Sequence, residues 1–263
     1  MWIAVVPAYN EAASISNVIK NIFRAPVNMV IFVANGCTDC TCSEAIRAAE
    51  DKALKILHFP EPLGVDIPKA VGAVYALKYR PRGVIFIDGD MNGPLLPLIL
   101  DLIMAVESGA DLALTNCYPN NQYLSELAQK VWQARQELNM RLGLFEKLGV
   151  ATPSHGPHAC SGSLLQQIDL RSLAVPPKLL VQAHLLSARI EIGGSFPHSL
   201  LGSSQRSPFH AEKIAATIIG DCQEALSPID PAAAAGISSA GYRKLRRFDI
   251  LEQVLSANNY QSK

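Results

Sequence analysis

Two carboxylates, Asp88 and Asp90, stand one glycine apart at the end of the apolar run Gly83-Val84-Ile85-Phe86-Ile87. A β-branched and aromatic run bounded by glycine reads as a buried strand, and side chains at i and i+2 of an extended backbone point to one side. The pair can therefore converge on one hard cation. Mg²⁺ is usually held by one or two carboxylates together with substrate phosphates, and open α/β sheets place ligands at the carboxyl ends of their strands. The plainer alternative is a solvated turn, since Asp and Gly also favour turns.

Three other polar segments follow strand-like runs: Pro7-Ala8-Tyr9-Asn10-Glu11, Ala34-Asn35-Gly36-Cys37-Thr38-Asp39, and the stretch from Leu63-Gly64 to Lys69. In a doubly wound sheet these loops share an edge with Asp88 and Asp90 and enclose a nucleotide-sized pocket. Taken singly, Asn35-Gly36 is a common turn dipeptide and Lys69 a charge at a helix start. Their joint order is what points to a site.

The elements that must position these residues alternate along the first half. Strands are expected at Trp2 to Pro7, Met29 to Ala34, Lys55 to Phe59, Val84 to Asp88 and Asp111 to Thr115. Helices are expected at Ala12 to Phe23, Ser43 to Lys52, Pro68 to Tyr79 and Pro94 to Glu107, and a long one at Tyr123 to Leu148. Such alternation predicts an α/β fold with a mostly parallel, doubly wound sheet. The second half departs from it, with a Pro/Gly/Ser/His-rich loop at Ala151 to Ser163, a strand at Arg189 to Ile192 and a helix at Phe209 to Leu226. The organisation expected is a catalytic domain over 1–226, divided into halves 1–115 and 116–226, followed by a linker and C-terminal helix over 227–263.

Composition bounds the reading. The chain has 263 residues, 49% hydrophobic and 17% charged, with 23 basic and 23 acidic side chains. This describes a packed domain without a broad electrostatic attraction to nucleic acid. The amino terminus has no basic region before its apolar run, and the longest apolar stretch is interrupted by Pro97 and Asp101, so a cytoplasmic protein is expected. Six cysteines then read as reduced thiols. Cys37, Cys40 and Cys42 lack the fourth ligand that a zinc site needs and read as small buried thiols at a strand-to-helix turn.

The four segments in order resemble the GT-A glycosyltransferases, in particular the family-2-like group. Val5-Val6-Pro7-Ala8-Tyr9-Asn10-Glu11 matches that family's amino-terminal motif, Ala34 to Asp39 matches its acidic turn with Ala and Asn in place of the leading acids, and Asp88-Gly89-Asp90 supplies its Asp-x-Asp motif. The resemblance implies a GT-A fold and a metal-dependent transfer of a sugar from a nucleotide-diphosphate donor to a small or phosphorylated acceptor, with Mg²⁺ or Mn²⁺ as cofactor. It implies that Pro7, Ala8, Tyr9, Glu11 and Asn35 line the base and ribose pocket. Lys69 would lie near the phosphates, Asp90 would be the main metal ligand, and Asp88 and Gly89 would stand beside it.

Beyond residue 150 the likeness narrows to glucosyl-3-phosphoglycerate and mannosylglycerate synthases. By that likeness Ser161, Gly162 and Ser163 belong to the acceptor loop, Arg206 approaches the donor phosphates, and His210 completes the metal site, with His198 as its competitor. The acidic pair of inverting relatives is missing, and Gln182 stands where the related synthases carry an acid. His184 and Asp169 are the remaining candidates for a base, and stereochemistry stays open. A nucleotide-sugar-binding protein without transferase activity is the alternative. The basic segment Tyr242 to Leu251 reads either as a peripheral membrane or partner-binding helix, or as a charged helix packed on the domain; a homodimer is compatible with either.

Overall fold

The computed structural model describes residues 1–119, 124–203, 207–230 and 240–260. The chain runs β1 (Trp2–Ala8), α1 (Ile15–Arg24), β2 (Met29–Asn35), α2 (Thr41–Ala49), β3 (Leu54–Phe59), α3 (Ile67–Leu77), β4 (Gly83–Phe86), α4 (Leu96–Glu107) and β5 (Leu112–Asn116). It continues with α5 (Glu126–Arg141), α6 (Phe145–Leu148), β6 (His158–Ser161), α7 (Gly162–Gln167), α8 (Pro177–Leu185), β7 (Ile190–Ser195), α9 (Pro208–Leu226) and α10 (Phe248–Ala257). The strands form one sheet in the order β3-β2-β1-β4-β6-β5-β7, in which only β6 runs antiparallel to its neighbours.

Side-chain alternation builds three layers. On β1, Ile3 and Val5 face the core under α3, whereas Trp2, Ala4 and Val6 face α1, as the two-residue strand period requires. α3 lies so close to β1 that a side chain at Gly72 would run into Val5, and its outer side is covered by α10 and the 3₁₀ turn Leu170–Ala174. Burial on nearly every side explains why it carries apolar residues all round.

Three departures from the sequence reading have local causes. The expected long helix is two, α5 and α6, separated at Gly143 with φ of 66°. The loop over 151–163 contains β6 and the start of α7. Cys40 is exposed, and Cys37 and Cys42 are half-buried rather than buried. Among the described residues no helix is long and apolar enough to cross a membrane.

The terminal segment is part of the core. Leu251 and Leu255 are buried in the α3-side cluster, and the Tyr260 hydroxyl donates to Ile168 O at 2.7 Å. Arg246, 7% exposed, donates to both Asp221 oxygens at 2.7 and 2.6 Å and to Asp66 at 3.2 Å. Arg243 pairs with Asp221 and Glu224, and Arg247 with Glu61 and Asp249, so three of the four cations that the membrane- or partner-binding alternative would turn outward are paired within the chain, as in the alternative of a charged helix packed on the domain.

Removing one partner of a buried ion pair typically costs about 3–5 kcal/mol because the other charge is left uncompensated. Arg246→Met is therefore expected to lower unfolding free energy by about that amount, and Lys244→Met, at an exposed position, by less than about 0.5 kcal/mol. Urea denaturation measures both.

Candidate functional site

Strand order reverses between β1 and β4, the place where loops leaving adjacent strands diverge and open a crevice. A cavity of about 640 Å³ opens there, with Pro7, Tyr9, Asn35, Asp88 and Asp90 from the sheet edge and Ile214, Thr217 and Asp221 from α9 in its wall. All four segments singled out in the sequence contribute to it.

Hydrogen bonds between the loops fix their shape. Gly89 N donates to Pro7 O at 2.9 Å and Ser14 Oγ to Gly89 O at 2.8 Å, and a side chain at residue 89 would collide with Ala8. The Asn10 amide oxygen accepts from Thr38 N at 2.8 Å, and Thr41 Oγ1 accepts from Glu11 N at 2.7 Å while hydrogen-bonding Asp39. Asn35 Oδ1 accepts from Leu63 N at 2.6 Å, so its oxygen is committed to the β3–α3 loop. A carboxylate there would accept the same bond, whereas the amide also carries a donor.

The charges are arranged around Lys69, which is 8% exposed. Its ammonium lies 3.2 Å from Asp66 and 3.0 Å from Asp88. Burial would lower the Lys69 pKa, but the two carboxylates outweigh it and hold the pKa above the ordinary lysine range. Lys69 is thus committed to two acids, and its first task is to fix Asp88 and the left-handed Asp66, which has φ of 66° at the start of α3. His158 stacks on Phe86 behind the site with ring centroids 4.9 Å apart, and burial together with Lys69 pushes its pKa down to about 3.

Asp88 and Asp90 sit just past the end of β4 in a turn closed by Met91 N donating to Asp88 O at 3.1 Å. The extended backbone assumed for their convergence is therefore absent, yet both carboxylates line the cavity. Hard oxygen donors beside room for phosphate oxygens fit Mg²⁺ or Mn²⁺. Among the described residues no three His, Cys, Asp or Glu side chains are clustered tightly enough to hold a metal by themselves.

His210 and His198 both line the cavity. His210 Nδ1 lies 2.6 Å from the Tyr242 hydroxyl, a partner from the C-terminal segment, and His198 Nδ1 lies 2.9 Å from His155 Nε2. Arg206 lies outside the described residues. The structure does not bring the other expected residues here. Ser161 is in register with Gly83, the first residue of β4, at the sheet edge opposite Asp88, and its hydroxyl donates to Asp111 and accepts from Leu164 N. Gly162 and Ser163 follow it there, because β6 runs away from the cavity. His184, at the end of α8, precedes β7 and so sits near that far edge; Gln182 accepts from Asp169 N, and Asp169 caps the turn holding Arg171.

Sequence reasoning missed Asp66, Asp221, Arg246, His155 and Arg135. Asp66 was within reach as the residue preceding a Pro-containing helix start. The others are joined only by the fold.

Neither a family model nor a curated protein matches the sequence. Among solved structures, glucosyl-3-phosphoglycerate synthase from Mycobacterium tuberculosis in complex with Mn²⁺, uridine-diphosphate and phosphoglyceric acid is similar at 20% identity and a TM-score of 0.58, covering 84% of this chain and 78% of that one. The same synthase with Mg²⁺ and uridine-diphosphate gives a TM-score of 0.60 at 20% identity, over 84% of this chain and 79% of that one. A structure described as a mycobacterial protein gives 0.60 at 20% identity, over 86% and 74%. The fold is therefore that of the GT-A glycosyltransferases, as the motifs implied.

Lys69 has a folded pKa above its unfolded value, so the stability it contributes is fully present below the unfolded lysine pKa of about 10.4 and fades as pH rises through the folded one. The stability difference between wild type and Lys69→Met is expected to be constant from pH 7 to about 9.5 and to shrink above about 10.4, read by urea unfolding at stepped pH.

Proposed function

We propose that this protein is a metal-dependent glycosyltransferase that moves a sugar from a nucleoside-diphosphate donor to a small acceptor carrying a phosphate. The observation that carries the proposal is the pairing of Asp88 and Asp90 with the buried Lys69 at the switch point of the sheet, beside loops that line one cavity. Support comes from the similarity in fold to synthases solved with uridine-diphosphate, Mn²⁺ or Mg²⁺ and phosphoglyceric acid.

In this reading Tyr9, 42% exposed at the cavity mouth, offers a face on which a base stacks, and the Asn35 amide offers a donor to it. Asp90 would be the principal ligand of a Mg²⁺ or Mn²⁺, with Asp88 beside it held by Lys69 and His210 on the cavity wall from α9. Such a cation supplies charge stabilisation for the departing diphosphate. Lys69, by fixing Asp88, keeps the carboxylates in place before substrate arrives, the pre-organisation that electrostatic catalysis requires.

The acceptor proton has few destinations. Of the five carboxylates lining the cavity among the described residues, Asp66 and Asp88 are held by Lys69, Asp221 by Arg246 and Arg243, Asp90 is assigned in this reading to the cation, and Glu11 lies beside Ser14 on the donor side. This favours retention: the bond from the anomeric carbon to the diphosphate breaks, the acceptor oxygen bonds to that carbon on the same face, and the acceptor proton passes to the departing phosphate oxygen. Cytoplasmic residence accords with the reading.

Asp90→Asn is expected to retain the wild-type melting temperature and to lose about a hundredfold or more in Mn²⁺-supported binding of a nucleoside diphosphate, since such a cation contributes several kcal/mol at developing charge. Calorimetry with UDP, GDP and ADP, each with and without Mn²⁺, makes the measurement. Unchanged metal-dependent affinity in the variant would refute the assignment. Wild-type protein that binds donor with metal but neither hydrolyses nor transfers it would be a binding protein instead. His210→Ala is expected to impair donor consumption more than folding, as followed by sugar release and thermal melting.

A further inference from the structure

Arg135 on α5 is a buried cation, 2% exposed, and among the described residues no carboxylate is bonded to it. Its Nε has no hydrogen-bond partner. One terminal nitrogen, Nη1, lies 3.1 Å from His155 Nδ1, and the ring of Tyr118 packs on His155 with centroids 5.1 Å apart. A buried charge without a counterion is costly, so the groups that face it are fixed in orientation by it.

The direction of the hydrogen bonds follows from chemistry. Arginine is always protonated and only donates, so His155 Nδ1 must accept. His155 then carries its proton on Nε2 and donates it across 2.9 Å to His198 Nδ1. His198 in turn must hold its own proton on Nε2. This ring is open to solvent and lines the cavity, whereas His155 is 9% exposed. Burial and the Arg135 charge both lower the pKa of His155 and His198, which agrees with two neutral rings.

We propose that Arg135, His155 and His198 form a relay that presents the His198 Nε2–H group as a fixed donor to an anionic oxygen of the bound ligand. Tyr118 and His198 follow the carboxyl ends of β5 and β7, and His155 precedes β6, so the relay enters from the side of the sheet opposite β1 to β3. The arrangement also separates the two cavity histidines. With a proton on Nε2 and a bond at Nδ1, His198 offers a metal or a substrate proton no lone pair. His210, whose Nδ1 can donate to Tyr242, can keep its Nε2 lone pair. The inference rests on reading this cavity as a transferase site, and the oxygen bound belongs either to the departing diphosphate or to an anionic acceptor.

The test uses the full chain with ¹⁵N-labelled histidine. Long-range ¹H–¹⁵N spectra at pH 7, assigned with His198→Asn and His155→Gln, are expected to show both residues as Nε2–H tautomers. Adding inorganic phosphate, or the tightest-binding of UDP, GDP and ADP with Mg²⁺, should move the His198 Nε2 resonance. By calorimetry His198→Ala should weaken the anion that uses this contact about tenfold or more, and His198→Asn, which keeps an N–H donor, should recover most of the loss. A loss confined to the nucleotide assigns the oxygen to the diphosphate, and one confined to inorganic phosphate assigns it to an acceptor. A charged or Nδ1–H His198, or equal affinities of His198→Ala and wild type for both anions, overturns the relay. Wild-type protein that binds none of the nucleotides, with the tautomers as expected, overturns the reading of the cavity instead.

Discussion

The ammonium of Lys69 is the interaction on which the site depends. It lies between Asp66 and Asp88, and Asp66 passes the connection to Arg246, which holds Asp221. Four elements distant in sequence are thereby set in register: the turn after β4, the start of α3, the middle of α9 and the segment before α10. Charges this buried are costly to leave unpaired, so each member fixes the others with more force than exposed pairs could. The left-handed Asp66 and the contact of Gly64 with Leu245 show the β3–α3 loop drawn tightly onto the C-terminal segment.

The sheet gives the cavity two unlike sides. On the side of β1, β2 and β3 the backbone loops are knitted by Asn10, Asn35, Asp39 and Thr41, and the electrostatics are those of an ammonium among carboxylates. On the side of β5 and β7 the polar groups are imidazoles backed by one guanidinium. The first is suited to holding a cation with its phosphates, and the second to offering donors to an anion. The reversal of strand order at β1 and β4 is what lets one cavity border both.

The first half of this plan was legible in the sequence because it is local. Pro7 to Glu11, Asn35 and Asp88 to Asp90 each follow a strand that carries its own two-residue or fully buried pattern, and parallel strands send all those loops to one edge. The placement of Ser161 came instead from likeness to an acceptor loop, over a stretch read as loop. The run His158–Ser161 is strand-like, but nothing in four residues says that it runs antiparallel, which sends Ser161, Gly162 and Ser163 to the far edge and leaves His155 at the near one. Arg246 was read as one of a basic group facing outward because its partners, Val65 O at 3.1 Å and the Asp66 carboxylate, lie about 180 residues earlier.

The same contrast explains why a catalytic base was sought in the wrong place. The likeness to the related synthases put Gln182 in the place of their acid and left His184 and Asp169 as the remaining candidates, but in this structure Gln182 and Asp169 hydrogen-bond within their own stretch and α8 packs on α9. Three of the cavity's carboxylates, Asp66, Asp88 and Asp221, are engaged by cations on the α3 and α9 side, Asp90 is the one assigned to the metal, and the imidazole presented by His198 is turned so that it can only donate. A site furnished in this way stabilises negative charge and offers little to abstract a proton. Chemistry in which the departing phosphate oxygen accepts the acceptor's proton is the kind that such a site can support.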